Sequence, residues 1–512
     1  MLKYHFHSIS ATPVRRLATT FSALLIFAMA WLSPAHAEYG FDPGYNENYV
    51  IDTFGSINGN AFREGRKLVT LPNGDIVVAG RMRLNNDTIQ PYSNIGLVRY
   101  DRNGGRVTWP STSGPYFWTS SQYVVYPNLP NGGSGDVTIE FVNDIAYADG
   151  KIYVLATRRF AGGSDRDVAL FAFNEDGTFR QTLTVIGSAA SEVGRAIDVN
   201  ATNLLAKPVT VTILAERDPR RMVVAKAAED SNGILSLDAS FNGGAPLEVT
   251  VTAGCPGFAQ CNLIPVDLAR GSRSSGDDMP IYVTGAIQRS AIVTDWDFFA
   301  MQIDSSGVVD TSFGLGGLRV VAFDQPGSAN GDYPSALWVE NRSQFGSDDH
   351  LIIAGNINRS CKTGIGIARL KGNGDDEPGF GIDGRAAYGG STEIGTICEQ
   401  EPAHFANDIT LQGNEIAVAG ETQYPDQGGT ILTDGALLRV DAISGEQRGL
   451  VALPQILQGN RAGTSRLFGI SNAGGNRYSV SGEGNSIPYG LPTLYISARV
   501  WPSDTIFVDG FE

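Results

Sequence analysis

The chain has 512 residues with 62 Gly, 24 Pro, 42% hydrophobic and only 18% charged residues. It is too long for one small domain and too apolar for global disorder, and its composition suits many short strands joined by turns. A formal net charge of −16 excludes the basic surface that nucleic acid or an anionic membrane would require.

The N-terminus reads as a processing segment. Lys3, Arg15 and Arg16 precede a short apolar run at residues 21–32, and "AHA" at residues 35–37 is a small-x-small cleavage site. Residues 1–37 are therefore expected to be a signal peptide, the apolar run being too short for a retained anchor. Losing those three cations takes the net charge from −16 to about −19. The expected location is exported, periplasmic or extracellular. No later stretch is apolar enough to form a transmembrane segment.

After the signal, a motif at residues 41–55 (FDPGYNENYVIDTFG) returns at 237–251 (LDASFNGGAPLEVTV), 310–324 (DTSFGLGGLRVVAFD) and 376–390 (DEPGFGIDGRAAYGG). Each copy has an acidic residue, an aromatic, a Gly/Asn-rich turn and a short extended run. Gly and Asn supply the positive φ such a turn needs, and the aromatic can pack under it. A second element is an apolar run ending in small residues: DIVVAG at 75–80, KIYVLAT at 151–157, VTVTILAE at 209–216, PIYVTG at 280–285, HLIIAG at 350–355, EIAVAG at 415–420 and RYSVSG at 477–482. Seven copies at a loose period near 65 residues make an internal repeat, which dominates the reading of the fold. A third element, such as NIGLVRYDRNG at 94–104 or DFFAMQIDSSG at 297–307, alternates and then ends in a polar-Gly turn. It reads as strand then hairpin. A fourth, such as VNDIAYADG at 142–150 or ANDITLQGN at 406–414, precedes each apolar run as another strand.

Each unit thus holds about four short strands joined by hairpins. The predicted fold class is all-β: a single β-propeller of seven four-stranded blades over residues 38–504, with 505–512 as a C-terminal tail. Two smaller propellers or a mixed β array are the alternatives. The motif at 41–55 has no strands before it in its unit, and the last unit, around 490–504, has no outer strand after it. An N-terminal strand completing the last blade would close the ring and cover two exposed sheet edges.

The pattern Asp-x-Ser-Phe-Gly, Gly-Gly, strand, then Ile-Val-Val-Ala-Gly resembles the delta-60 repeat family of secreted and surface bacterial proteins. The likeness covers most of residues 38–504, is best at 310–324 and 75–80, and is weakest in the unit near Gly194. It implies a propeller-like repeat architecture and no fixed catalytic set. The tail TIFVDGFE resembles a C-terminal ending shared by unrelated exported proteins.

Four cysteines, Cys255, Cys261, Cys361 and Cys398, read as two disulfides in an exported chain. Three connectivities exist. The short loop CPGFAQC favours Cys255–Cys261, leaving Cys361–Cys398. Spacing and the scarcity of His argue against zinc.

No catalytic residues are assigned, because no hydrolase elbow, Walker loop or EF-hand loop is present. The inner strands carry Asp144, Asp198, Asp267 and Asp408, which would line a central channel and could bind a cation or a polyhydroxyl ligand. The competing reading is that each Asp satisfies nearby backbone amides. No cofactor is evident, and a divalent cation such as calcium is the one an acidic chain would take. The expected role is a monomeric binding or scaffold module for a polysaccharide or envelope protein, with no nucleic-acid partner. The alternative is a carbohydrate-active hydrolase or lyase using two channel-mouth carboxylates.

Overall fold

The computed structural model describes residues 49–52, 63–82, 94–109, 118–120, 123–126, 137–160, 163–200, 209–252, 260–271, 279–288, 295–323, 331–341, 349–359, 362–389, 402–425, 429, 431–452, 463–473, 477–486 and 494–500. The expected signal peptide at 1–37, the tail at 505–512 and most of the motif at 41–55 lie outside them. Among the described residues there is no α-helix, and the strands form seven antiparallel sheets in a β-propeller arrangement. Among the described residues no helix is long and apolar enough to cross a membrane.

Each sheet begins with an inner strand. In chain order these are Arg63–Thr70, Val137–Ala148, Glu192–Asn200, Asn262–Arg270, Tyr333–Asn341, Ala403–Gln412 and Gly463–Asn472. Each inner strand lies against the inner strand of the next sheet, and the seventh lies against the first. The Thr70 and Ser471 hydroxyls, 2.6 Å apart, join that last pair. The short strand Tyr49–Asp52 pairs with Leu494–Val500 at the outer side of the seventh sheet, with Tyr49 opposite Ala498 and Asp52 opposite Tyr495. Among the described residues five sheets have four strands and two have five, so the uniform four-strand expectation is corrected for the first and third. In the first sheet Trp118–Ser120 adds beyond Tyr123–Tyr126. In the third the outer edge is split into Leu235–Leu237 and Leu247–Val249, because the Asn242–Gly244 turn interrupts it.

The core sits between neighbouring sheets. Val77, Ile152, Phe171 and Phe173 are part of the layer between the first and second, and Phe241, Leu214, Ile281 and Phe299 of that between the third and fourth. Middle strands are therefore covered on both faces. Ile281–Gln288 and Trp296–Ile303 are buried at every residue, the second of them not alternately as its sequence pattern suggested. Alternation survives on inner strands such as Glu192–Asn200, whose one face meets the channel.

The recurrent Phe-Gly turn has a joining role. The Phe241, Phe313 and Phe380 rings are almost fully buried. The turn that follows each one hydrogen-bonds to the hairpin of the next sheet: Asn242 N–H to Ser306 O (2.8 Å), Gly314 N–H to Asn373 O (2.9 Å) and Gly381 N–H to Ser444 O (2.8 Å). Each ring rests against the closing glycine of that hairpin, namely Gly307, Gly374 and Gly445. The motif is thus an inter-sheet staple whose acidic residue shapes the turn. Asp310 Oδ1, for example, accepts the Ser312 N–H at 2.8 Å.

Candidate functional site

Every inner strand carries a register shift at one equivalent place. The shifts fall between Gly65 and Lys67, Val142 and Asp144, Gly194 and Ala196, Pro265 and Asp267, Pro334 and Ala336, Ala406 and Asp408, and Leu467 and Gly469. One residue per strand is left without a register partner at these β-bulges: Arg66, Asn143, Arg195, Val266, Ser335, Asn407 and Phe468. A bulge bends its strand and re-aims a side chain. It also drives the inner backbone against the second strand, which explains the small residue closing each apolar run. A Cβ on Gly420 would sit 1.8 Å from Phe405 O.

All seven bulge residues line one central cavity of about 540 Å³. The Arg66 guanidinium stacks over the Phe468 ring at 4.8 Å. Asn143 accepts a hydrogen bond from Thr157 Oγ1 (2.8 Å), and Asn407 donates to Leu467 O (2.8 Å). Arg195 pairs with Glu216. Arg166, also lining the cavity, donates twice to Glu140 at 2.8 and 2.7 Å. Phe141, 36% exposed, adds an aromatic wall.

The residues directly after the bulges form a second ring: Lys67, Asp144, Ala196, Asp267, Ala336, Asp408 and Gly469. Asp144 Oδ1 accepts its own neighbour's Ile145 N–H and Oδ2 accepts Ile197 N–H of the next sheet, both at 2.8 Å. Asp267 repeats this with Leu268 (2.8 Å) and Leu337 (2.7 Å), and Asp408 Oδ2 accepts Ile470 N–H at 3.0 Å. In each case the reached sheet has Ala or Gly at the ring position, which leaves room for the carboxylate. The odd seventh position is filled by Lys67, whose Nζ lies 3.2 Å from Asp408 Oδ1. Burial pushes the Asp144 carboxyl up to about 6, against the pull of Lys67 and the backbone amides. Burial pushes Asp267 up to about 8, with Lys67 opposing and Asp144 adding to the rise. Burial disfavours the Lys67 ammonium, but Asp408, Asp144 and Asp267 outweigh it and hold its pKa above the ordinary lysine value.

Three of the four aspartates named from sequence thus gather around Lys67. Asp198 lies apart: its Oδ2 accepts the Arg270 backbone N–H at 2.7 Å and its carboxylate meets the Arg270 guanidinium at 3.3 Å. Lys67 and the bulge ring were missed by sequence reasoning. Cys261 is buried and disulfide-bonded, whereas Cys255, Cys361 and Cys398 lie outside the described residues.

No protein-family model and no curated protein matches the sequence. Among solved structures, the polysaccharide lyase Uly1 is similar at 11% identity and TM-score 0.42, over 85% of this chain and 89% of that one. A lectin from Burkholderia pseudomallei is similar at 12% identity and TM-score 0.37, over 84% and 96%. A Bombyx mori β-fructofuranosidase is similar at 12% identity and TM-score 0.30, over 90% and 92%. Likeness at this level carries no argument about what this chain does.

Proposed function

We propose that the chain is an exported binding module that takes a polyhydroxyl ligand, a carbohydrate chain, at the mouth of its central cavity. One observation carries the reading: the seven bulge side chains, unread by the strand ladders, converge on one cavity. Guanidinium, amide and hydroxyl groups offer directional hydrogen bonds to sugar hydroxyls, and Phe468 and Phe141 offer faces for sugar rings. In this reading the ring aspartates hold adjacent sheets together through backbone amides. The seven sheets are blades of a single ring that Tyr49–Asp52 completes, supported by its pairing with Leu494–Val500 and by the contact between the first and last inner strands. Export through residues 1–37, a Cys255–Cys261 and Cys361–Cys398 pairing, and kinship with delta-60 repeat proteins complete the proposal.

A second reading has one observation in its favour. Asp267 at about 8 and Asp144 at about 6 lie in the range of a proton donor and acceptor at neutral pH, as a hydrolase or lyase would need.

Retention of purified protein on a panel of bacterial and plant polysaccharides, with assay of newly formed soluble ends, separates the two. Retention without new ends is expected. Combined Arg66→Ala and Phe468→Ala substitution is expected to weaken retention about tenfold or more, since Arg and aromatic anchors dominate such contacts. Undiminished retention by that variant would overturn the mouth as the docking place. New ends that vanish in Asp267→Asn would favour the enzyme.

A further inference from the structure

A second cluster of chemistry lies beside the mouth, between the second and third sheets. Asp165 and Asp167 bracket the start of the strand Arg166–Asn174, and Glu192 opens the inner strand Glu192–Asn200. Residues two apart on a strand share a side, so Asp165 and Asp167 face one way while Arg166 faces Glu140. Each of the three carboxylates brings one oxygen to within 4.8 Å of the other two.

Acidic clusters on protein surfaces are common and mean little alone. Here a second observation points to a ligand. Glu192 is fully buried, and its Oε2 accepts no hydrogen bond. Its other oxygen is engaged, accepting from Ser188 Oγ at 2.5 Å and Arg217 Nε at 3.0 Å. Asp165 Oδ1 is likewise buried and accepts no hydrogen bond. A buried carboxylate oxygen without a donor loses its hydration with nothing in return, and such an atom asks for an explanation. Arg158 Nη2 reaches Asp167 Oδ2 at 3.4 Å and is shared with Thr184 Oγ1 at 2.5 Å. Arg217 is shared with Glu248 at 2.9 Å. The guanidinium groups thus take Glu192 Oε1 and Asp167 Oδ2, while Glu192 Oε2 and Asp165 Oδ1 keep no hydrogen-bond partner. Gly187 keeps space beside Asp167, since a Cβ there would lie 3.1 Å from its Oδ1.

We propose that Asp165, Asp167 and Glu192 form a site for a hard divalent cation of the calcium class, which ties the second sheet to the third. The all-oxygen donor set has no His or Cys, which suits calcium over zinc or copper. Residues from two sheets contribute, so the cation acts as a cross-link next to the cavity mouth. The inference stands independently of what docks in the mouth.

The test uses purified protein stripped with chelator, dialysed, and titrated with calcium in a calorimeter, with thermal melts in parallel. The wild type is expected to bind about one ion per chain at this site and to melt several degrees higher at saturation, because a ligand of the folded state alone stabilises it. Asp165→Asn is expected to weaken binding about tenfold or more and to remove most of the melting shift. Asp304→Asn, at a hairpin turn far along the chain, should retain both. Glu192→Gln tests the buried oxygen, and if that variant fails to fold Asp165→Asn decides the matter. Absence of both heat and melting shift in the wild type, or unchanged binding in Asp165→Asn, would overturn the site.

Discussion

Phe313→Ala is expected to lower the unfolding free energy by about 3–5 kcal/mol, the usual loss for emptying a fully buried aromatic site. The ring is 1% exposed, lies 6.1 Å from the Tyr282 ring, and sits in the layer between the fourth and fifth sheets. Its removal also unseats the turn whose Gly314 N–H reaches Asn373 O in the fifth sheet. The partner half of the staple is Gly374, at φ +87°, where an added Cβ would lie 2.8 Å from Gly314 N. Gly374→Ala is therefore expected to cost about 1–3 kcal/mol through backbone strain and the clash. The two changes damage one junction, so the double variant should lose less than the sum. Urea unfolding of the three variants checks this. A loss under about 1 kcal/mol for Phe313→Ala, or strict additivity, would remove the staple as a unit of stability.

Lys67→Met is expected to destabilise the chain in a pH-dependent way. Asp144 and Asp267 have folded-state pKa values near 6 and 8, above the ordinary 3.8. A carboxyl with a raised pKa binds more protons folded than unfolded, so its share of stability falls as pH rises from about 4 toward 8. Lys67 opposes that fall, because its raised pKa keeps it charged throughout this window. Without the ammonium, Asp144 and Asp267 should titrate higher still, and the penalty at high pH should grow. The Lys67 side chain keeps 25% of its surface exposed to the channel, which places the loss between those of exposed and buried pairs, at about 2 kcal/mol at pH 8. At pH 5 the two carboxyls are largely protonated when folded, and the loss should shrink. Equal losses at both pH values would sink the electrostatic account.

Much of the architecture was legible in the sequence because hairpin turns and apolar runs are written with few residue types. The small residue near the end of each apolar run, glycine in five and Ala156 or Ala215 in the other two, was visible, but its cause was not, since the bulge it faces lies in another strand. The bulge positions themselves hold Arg, Asn, Val, Ser and Phe, and no residue type marks them. A usable signal was the Ile or Leu that follows each ring position: Leu68, Ile145, Ile197, Leu268, Leu337, Ile409 and Ile470. Aligning on that residue places Ala196 in the ring and leaves Asp198 two positions on. Aligning on the aspartate, as the eye does, brings Asp198 in wrongly. Lys67 was overlooked for the same reason, since it occupies an aspartate's place with the opposite charge. The carboxylates of Asp165, Asp167 and Glu192 come from two sheets and had no spacing to announce them.

The bulge ring also separates two kinds of information in the chain. Ladder positions are constrained by their partners, and a change there disturbs the sheet. The bulge positions are spelled Arg, Asn, Arg, Val, Ser, Asn, Phe in sheet order, and the ladder does not read them. On the proposed reading they amount to a seven-letter address written on a fixed page, so a descendant of this chain could rewrite its choice of ligand letter by letter while the page keeps its shape.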